Sequence, residues 1–139
     1  MPQFSRLGTL AAVTSERALR GAACEAIAAS HLEKHGLQIV ARNLRCKAGE
    51  IDLVCLDGQV LAVVEVRQRR SRDYGGALAS VNARKQRKII RAARFLLERH
   101  ASRRHLNLRF DVVAVQGTPE AHDIVWIKDA FQASPFGRT

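Results

Sequence analysis

Apolar residues recur along the chain with two different periods, and the changes of period divide it into helices and strands. The alanine-rich stretch from Ser15 to His35 has a helical period, begins at a residue that can cap a helix and stops before Gly36. A second stretch of helical period runs from Ala79 to His100. The β-rich runs are LQIVARNLRC, EIDLVCL and QVLAVVEVRQ before it, and NLRFDVVAV and DIVWIKDAF after it. The pattern predicts an α/β domain of order α-β-β-β-α-β-β, with a mixed sheet and helices packed on it.

Length and apolar content fit a single domain. The 139 residues are 47% hydrophobic, which is enough for one sizeable core. We expect a flexible N-terminal segment at residues 1–14, one domain at 15–131 and a frayed tail at 132–139. No stretch approaches the length of a membrane span, and the three cysteines have neither a disulfide-framework nor a zinc-knuckle spacing. The expected location is therefore the cytoplasm, with no membrane partner.

Positive charge dominates the composition and is concentrated in one region. The 23 Lys and Arg residues outnumber the 13 Asp and Glu residues, which favours a polyanionic partner. Between Arg67 and Arg109, fourteen basic residues accompany only Asp73 and Glu98. Such a run is usually a solvated face. Here it directly follows a group of acids, and this combination favours the binding of phosphates.

Three carboxylates, Glu50, Asp52 and Glu65, interrupt the apolar hairpin that precedes this run. If Asp57 and Gly58 form its two-residue turn, Glu65 lies opposite Glu50 and is the diagonal neighbour of Asp52, with β-carbons within about 7 to 8 Å. Like charges on one sheet face repel, so a positive group must lie among them. Arginines would do this, but the cluster favours a divalent cation such as Mg²⁺, which prefers a couple of carboxylates and several waters.

Each helix is predicted to direct one charged side chain towards its apolar side. Glu25 is the only charge in the first helix's stripe, so it points at the sheet or, alternatively, lies at the stripe edge and reaches solvent. That stripe consists of Ala18, Ala22, Glu25, Ala29 and Leu32. In the second helix Lys85 falls on the apolar face and is expected to point inward. The opposite face of the second helix carries Arg84, Arg87, Lys88, Arg91 and Arg94.

Four segments of the chain, GEIDLV, VVEVRQR, KQRKIIRAARFLL and RFDVVAV, resemble in that order the YraN-like family of small bacterial proteins. The likeness covers roughly Gly21 to Phe131. That family is similar to Holliday-junction resolvases and to the PD-(D/E)xK superfamily, so the resemblance implies a restriction-endonuclease-like core. It also implies a metal-dependent nuclease site.

The resemblance assigns roles to individual residues. Asp52 matches the metal-binding aspartate, Glu65 the glutamate of the E-x-K motif, and Glu25 a first-helix glutamate that supports the metal through water. Lys85 and Gln86 match a Lys-Gln pair that opens the second helix. The family usually reads EVK where this chain reads EVR, which puts Arg67 at the position of the catalytic lysine. Arginine stabilises charge on phosphate but stays protonated, so it cannot take a proton from water.

The resulting hypothesis is an endonuclease dependent on Mg²⁺ or Mn²⁺ that hydrolyses phosphodiester bonds in DNA, with branched DNA among its candidate substrates. Its catalytic group would be Glu25, Asp52, Glu65, Arg67 and Lys85. Its nucleic-acid-binding residues would be Arg69, Arg70, Arg84, Gln86, Arg87, Lys88 and Arg91. The first alternative is a catalytically impaired nucleic-acid-binding module that retains the nuclease fold. A ribosome-associated or partner-binding basic protein is a third interpretation.

Other patterns receive simpler interpretations. His31 and His35 have the spacing of zinc ligands but no third ligand, so a position near a helix C-terminus is favoured. Arg109 and Asp111 share a strand face and are interpreted as an ion pair. Trp126 is assigned to the core rather than to base stacking. A homodimer would suit two-fold symmetric junctions, although no sequence feature marks an interface.

Overall fold

The computed structural model describes residues 15–70, 74–99 and 107–133. The mixed α/β class is confirmed, and the elements follow the predicted order with one short helix added before the second long one. The segments expected to be flexible or frayed are residues 1–14 and 132–139; residues 1–14 and 134–139 lie outside the described residues. The elements are α1 Glu16–Lys34, β1 Gln38–Cys46, β2 Gly49–Asp57, β3 Val60–Arg69, α2 Tyr74–Ala79, α3 Ala83–Arg99, β4 Asn107–Gly117 and β5 His122–Phe131.

The five strands form one mixed sheet in the order β1-β2-β3-β4-β5. Strands β3 and β4 are parallel neighbours, and every other neighbouring pair is antiparallel. A parallel pair needs a crossover connection, and the chain between these two strands contains α2 and α3. The predicted crossover role of the second helix is confirmed.

The long helices cover opposite faces of this sheet. Ala28, Ala29 and Leu32 of α1 pack in one cluster with Leu53 and Val64. A second cluster joins α3 to the alternate strand positions; it contains Val54, Leu61, Val63, Ile89, Ala92, Ala93 and Phe110. Since alternate residues of a strand face opposite sides, β2 and β3 are buried on both faces. Within the described residues, no helix combines the length and the apolar character needed to cross a membrane.

The hairpin between β2 and β3 has a different register from the predicted one. Leu56 pairs with Leu61 and Asp57 with Val60, so Gly58 and Gln59 form the turn rather than Asp57 and Gly58. Gly58 has φ 62°, and glycine adopts such a positive φ readily at the first turn position. The prediction was therefore wrong by two residues. A two-residue slip keeps each side chain on its face, so the predicted faces survive.

The two long helices differ in how well their starts were predicted. Helix α1 begins as expected, because the Ser15 side chain accepts a hydrogen bond from the Ala18 N–H. The predicted start of the second helix at Ala79 is wrong. Asn82 caps α3 instead, its Oδ1 accepting a 2.9 Å hydrogen bond from the Lys85 N–H. This cap places Lys85 in the first turn of α3.

Candidate active site

Asp52 and Glu65 lie side by side where β2 stops pairing with β3. The last pair of the ladder is Leu53 with Val64, and the next residue along each strand is one of these acids. The prediction that Glu65 lies opposite Glu50 is wrong, since Glu50 pairs with β1 instead. Along the described strands, β3 pairs only with β4 from Glu65 onward. The acids therefore lie at an open sheet edge.

The backbone and two cations surround this acid pair. The Val66 N–H donates a 2.8 Å hydrogen bond to Oδ2 of Asp52. Lys85 Nζ lies 3.1 Å from Oε2 of Glu65, and Arg67 Nη1 lies 3.6 Å from the same oxygen. Glu65 is 4% exposed, whereas the side chains of Lys85 and Arg67 are 44% and 32% exposed. The structure thus brings together four of the predicted catalytic residues, and Lys85 points inward as predicted.

The short helix α2 and the residue after it support the Arg67 side chain. Arg67 Nε donates to Oγ of Ser80 at 3.3 Å, and that hydroxyl donates to the carbonyl oxygen of Ala77 at 2.7 Å. A guanidinium held at Nε keeps its other nitrogens available to a further anion. Ser80 is a positioning residue that the sequence pattern did not indicate, because the predicted helix ran through it.

Burial makes both acids hard to ionise, and the charge of Asp52 adds to this effect on Glu65. Burial, followed by the negative charge of Asp52, raises the pKa of Glu65 to about 7, although Lys85 opposes the shift. Burial also raises the pKa of Asp52, against the lowering effects of the Val66 N–H and of Lys85. The two nearby cations therefore do not fully compensate the pair. A further positive charge would stabilise the ionised form of both acids.

Glu25 lies at the edge of the α1 interface rather than at its centre. The predicted stripe is wrong in part, because Ala18 and Ala22 are exposed. The residues of α1 that are buried are Cys24, Ala28, Ala29 and Leu32. Glu25 is half-buried beside them. Helical periodicity alone could not distinguish the predicted stripe, which passes through Glu25, from a stripe one residue earlier that passes through Cys24.

The pKa of the half-buried Glu25 carboxylate is affected by Asp52 of the acid pair and by Glu50. Burial raises the pKa of Glu25, with further contributions from the charges of Asp52 and Glu50, while a hydrogen bond from the Asn43 side chain lowers it. Asn43 has φ 51°, a conformation that asparagine tolerates better than most residues. Asn43 was not among the predicted site residues, since an isolated asparagine in a strand gives no functional signal.

The two carboxylates suit a hard cation that takes only some of its ligands from the protein and keeps water as the others. Within residues 15–70, 74–99 and 107–133, no group of three or more His, Cys, Asp or Glu side chains could hold a metal ion. Mg²⁺ needs fewer protein ligands, because it usually keeps several waters and takes one or two carboxylates. Asp52 and Glu65 supply two carboxylates whose raised pKa values indicate uncompensated negative charge. The residues present therefore fit Mg²⁺ or Mn²⁺ better than zinc.

The predicted nucleic-acid-binding residues fall into different environments. Four of them form the α3 face, which is exposed and consists of Arg84, Arg87, Lys88 and Arg91. Gln86 is half-buried and donates a 2.9 Å hydrogen bond to the Val81 carbonyl oxygen. Arg69 is also half-buried and lies against Gly76, where a β-carbon would come within 2.5 Å of Nη2. Arg70 is exposed and directly follows the end of β3.

A second basic surface lies beside the acid pair and was not predicted. Arg17 and Arg20 of α1 line a cleft of about 690 Å³ together with Arg67 and Arg70 of the β3 region. We call this surface the arginine cleft. Its members come from segments far apart in sequence, so only the packing of α1 on the sheet brings them together. The spacing of Arg17 and Arg20 on one side of a helix is the single signal that the sequence contains.

The remaining candidates have structural surroundings. Arg109 contacts both Asp111 and Asp57 at 2.9 Å, which confirms the predicted ion pair and extends it. The rings of His31 and His35 are tilted by 38° with centroids 4.3 Å apart, at the C-terminal end of α1 as predicted. Trp126 is partly buried and makes edge contacts with both histidines, consistent with its assignment to the core.

Fold and site together define a mixed α/β domain with a carboxylate pair and two basic groups at the open edge of its sheet. A family model described as "Uncharacterised protein family UPF0102" matches residues 24–115. The chain is 45% identical over 119 residues to a UPF0102 protein of Stutzerimonas stutzeri (strain A1501), spanning 86% of this chain and 99% of that one. It is 47% identical over 116 residues to a UPF0102 protein of Xanthomonas campestris pv. campestris (strain B100), spanning 84% and 93%. The chain belongs to the UPF0102 family, which confirms the predicted YraN-like membership.

Proposed function

We propose that the protein is a metal-dependent endonuclease that hydrolyses phosphodiester bonds in DNA, on a restriction-endonuclease-like core of the PD-(D/E)xK type. One observation carries the proposal. Asp52 and Glu65 lie together at an open sheet edge, with Lys85 3.1 Å and Arg67 3.6 Å from the same Glu65 oxygen. Acids that bind a cation, beside basic groups that bind a phosphate, are the two parts that phosphodiester hydrolysis requires.

The acids would hold the cation. Asp52 and Glu65 would be its direct ligands, and Glu25 would support it through water. The chemistry that a bound Mg²⁺ supplies is Lewis-acid stabilisation of charge on the phosphoryl oxygens. Hydrolysis itself forms one bond from a water oxygen to phosphorus and breaks one P–O ester bond. One water proton ends on the leaving oxygen, and the other is released to the medium.

The two basic groups would stabilise the phosphate. Arg67 is held by Ser80 through Nε, so its terminal guanidinium nitrogens can bind a phosphoryl oxygen. Its loose 3.6 Å contact with Glu65 leaves room for this exchange of partners. Because arginine stays protonated, Arg67 acts by charge and not as a general base. Lys85 is already directed at the acids and supplies a second positive charge beside the scissile group.

A specific observation also favours a second candidate, a nucleic-acid-binding module that has lost catalysis. Glu65 contacts two side-chain cations, so part of the charge that would attract a metal is already compensated. Arg67 also replaces the lysine that the resemblance leads one to expect. Under this alternative the acids and bases form a structural ion cluster, and the exposed α3 face binds nucleic acid without cleavage.

Cleavage of defined DNA substrates distinguishes the two candidates. We would incubate end-labelled linear, flapped and four-way DNA with the purified protein in Mg²⁺, in Mn²⁺ and in a chelator. Asp52→Asn is the matched control, because it keeps the shape of Asp52 and removes the charge. The nuclease proposal requires cutting by the wild type that depends on the metal and is lost in Asp52→Asn.

Two results would reject the nuclease proposal. Cutting of equal extent in both proteins would indicate a contaminating nuclease. Binding without cutting on every substrate and with both metals would favour the non-catalytic alternative. The panel includes branched DNA because the resemblance extends to resolvases, so a linear substrate alone would be an incomplete test.

A further inference from the structure

The arginine cleft concentrates positive charge that the protein does not neutralise. Four arginines line it, and Arg67 is the member that contacts an acid. For Arg17, Arg20 and Arg70, the described part of the chain provides no carboxylate within ion-pair distance. Like charges gathered in a concave surface repel each other and attract counter-anions strongly. The cleft is therefore suited to an anionic ligand that carries several negative charges.

The size of the cleft limits which anion fits. A volume of about 690 Å³ lies within the range of ordinary ligand sites. This volume is small beside a DNA duplex, whose major groove alone is about 12 Å wide. A single strand presents its phosphates to the cleft without the bulk of a paired strand, so the size of the cleft favours a single strand. The α3 face is an exposed helix surface rather than a cleft, so it has no such restriction.

The cleft and the acid pair share two residues. Val66 lines the cleft, and its N–H donates to Asp52. Arg67 also lines the cleft and lies 3.6 Å from Glu65. Because Val66 and Arg67 directly follow Glu65 in β3, a strand lying along the cleft would pass close to the acid pair.

We infer that the arginine cleft binds a single strand of nucleic acid through its phosphates and leads that strand to the acid pair. The inference rests on the proposed function and specifies its substrate as a nucleic acid with a single-stranded segment beside the cleaved bond. The α3 face binds the duplex portion of the same substrate. Two separate basic surfaces thus contact two structural forms of nucleic acid.

Gly21 offers a way to test the cleft without removing an arginine. Gly21 lines the cleft, and a β-carbon at this position would meet no atom within 4 Å. A side chain there also raises the helix propensity of α1, so the variants should fold. Gly21→Glu places a negative charge in the cleft, four residues after Arg17, where the two side chains can pair. Gly21→Gln adds nearly the same volume without the charge.

Binding is measured by fluorescence anisotropy with labelled dT20, rU20 and a 20-base-pair DNA duplex in a chelator, so that cleavage plays no part. Gly21→Glu should weaken binding of both single strands by about tenfold and of the duplex by less than about threefold. Gly21→Gln should weaken the binding of both single strands much less than Gly21→Glu does. Ser30→Glu is the matched control. Ser30 is exposed on the same helix outside the cleft, and its substitution makes the same change in net charge. The two oligonucleotide types also show whether DNA or RNA is preferred.

Salt dependence gives a second, independent measurement. Removing Arg17, Arg20 and Arg70 together by alanine should reduce the salt slope for dT20 by about two units, since each single-strand phosphate contact contributes about 0.7. Removing Arg84, Arg87 and Arg91 should reduce the slope for the duplex by more than the slope for dT20. This double contrast assigns each surface to one form of nucleic acid.

The outcomes separate this inference from the proposed function. If Gly21→Glu, Gly21→Gln and Ser30→Glu behave alike, or if duplex and single strand lose affinity equally, the cleft inference is wrong even where the wild type cuts DNA. If the single-strand contrast appears and no substrate is ever cut, the cleft inference is supported and the nuclease proposal fails.

Discussion

Two clusters in this molecule combine carboxylates with arginine, and they differ in how completely their charges are satisfied. Asp111 is fully buried and accepts from Arg109 through both oxygens at 2.9 Å, from the Trp126 indole at 3.1 Å and from the Asp129 N–H at 3.0 Å. Glu65 is almost as buried but has one cation at 3.1 Å and a second at 3.6 Å.

The difference separates a structural cluster from a candidate site. A carboxylate whose oxygens are all used by the protein has nothing left for a ligand, and its geometry is fixed by its partners. The acid pair of Asp52 and Glu65 repels itself, and the pKa of Glu65 is raised to about 7. Such incomplete compensation is a feature of sites that bind a further charged group. The same change from aspartate to asparagine can therefore be compared in a cluster whose charges are compensated and in one whose charges are not.

The largest contrast should appear in stability. Asp111→Asn replaces an acceptor by an amide whose NH₂ faces donors, and it leaves Arg109 with one carboxylate; breaking a buried pair in this way should destabilise the fold by roughly 3 to 5 kcal/mol. Asp52→Asn removes a repelling charge and should be neutral or stabilising. Urea denaturation followed by the single tryptophan measures both. Similar losses in the two variants would contradict the contrast.

Substitution of Arg67, the arginine beside the acid pair, should change the rate of DNA cleavage. Arg67 is held loosely and is proposed to stabilise phosphate, so Arg67→Ala should lower the cleavage rate by on the order of 10² to 10³. Arg67→Lys should keep or raise cleavage, because it retains the positive charge, and affinity for DNA should change little in either variant. Cleavage that persists in Arg67→Ala and is lost in Lys85→Ala would transfer the role to Lys85.

The sequence pattern was sufficient for the parts of this site that depend on local structure. Alternation placed Asp52 and Glu65 on one face, and helical period directed Lys85 inward. The hairpin register was wrong because Asp57-Gly58 and Gly58-Gln59 are both acceptable turns, and only pairing along the whole strand decides between them. The faces were nevertheless correct, since the error was an even number of residues.

Tertiary packing determines the rest of the site, and the local patterns of the sequence do not predict that packing. Glu25 lies at an interface edge because the buried stripe of α1 runs through Cys24 and Ala28, a choice made by the sheet beneath it. Arg17 and Arg70 line the same cleft only because α1 packs against the end of β3. Neither arrangement follows from the period of either segment alone.

The pH dependence of stability tests the incomplete compensation of Glu65. Its pKa is raised from 4.5 to about 7 in the folded protein, so folding favours the protonated acid. This contribution is fully present below about pH 4.5 and is lost as pH rises through about 7. Glu65→Gln cannot ionise and should gain stability relative to the wild type between pH 5 and pH 8, by up to about 3 kcal/mol. A difference between the two proteins that stays constant with pH would show that Glu65 is already compensated.

Divalent cations should reduce the repulsion between the acids while leaving the Asp111 cluster unaffected. A cation that binds the folded protein alone stabilises it by about 2.7 kcal/mol at a concentration one hundred times its Kd. Mg²⁺ or Mn²⁺ should therefore raise the Tm of the wild type at pH 8, where Glu65 is ionised, and raise it much less at pH 5. Asp52→Asn combined with Glu65→Gln should abolish the shift. Lys34→Ala, at the far end of α1 from the arginine cleft, should retain it. Equal Tm shifts in the wild type and in the double variant would place the cation elsewhere, and would leave Lys85 and Arg67 as the only positive partners of the acid pair in the described chain.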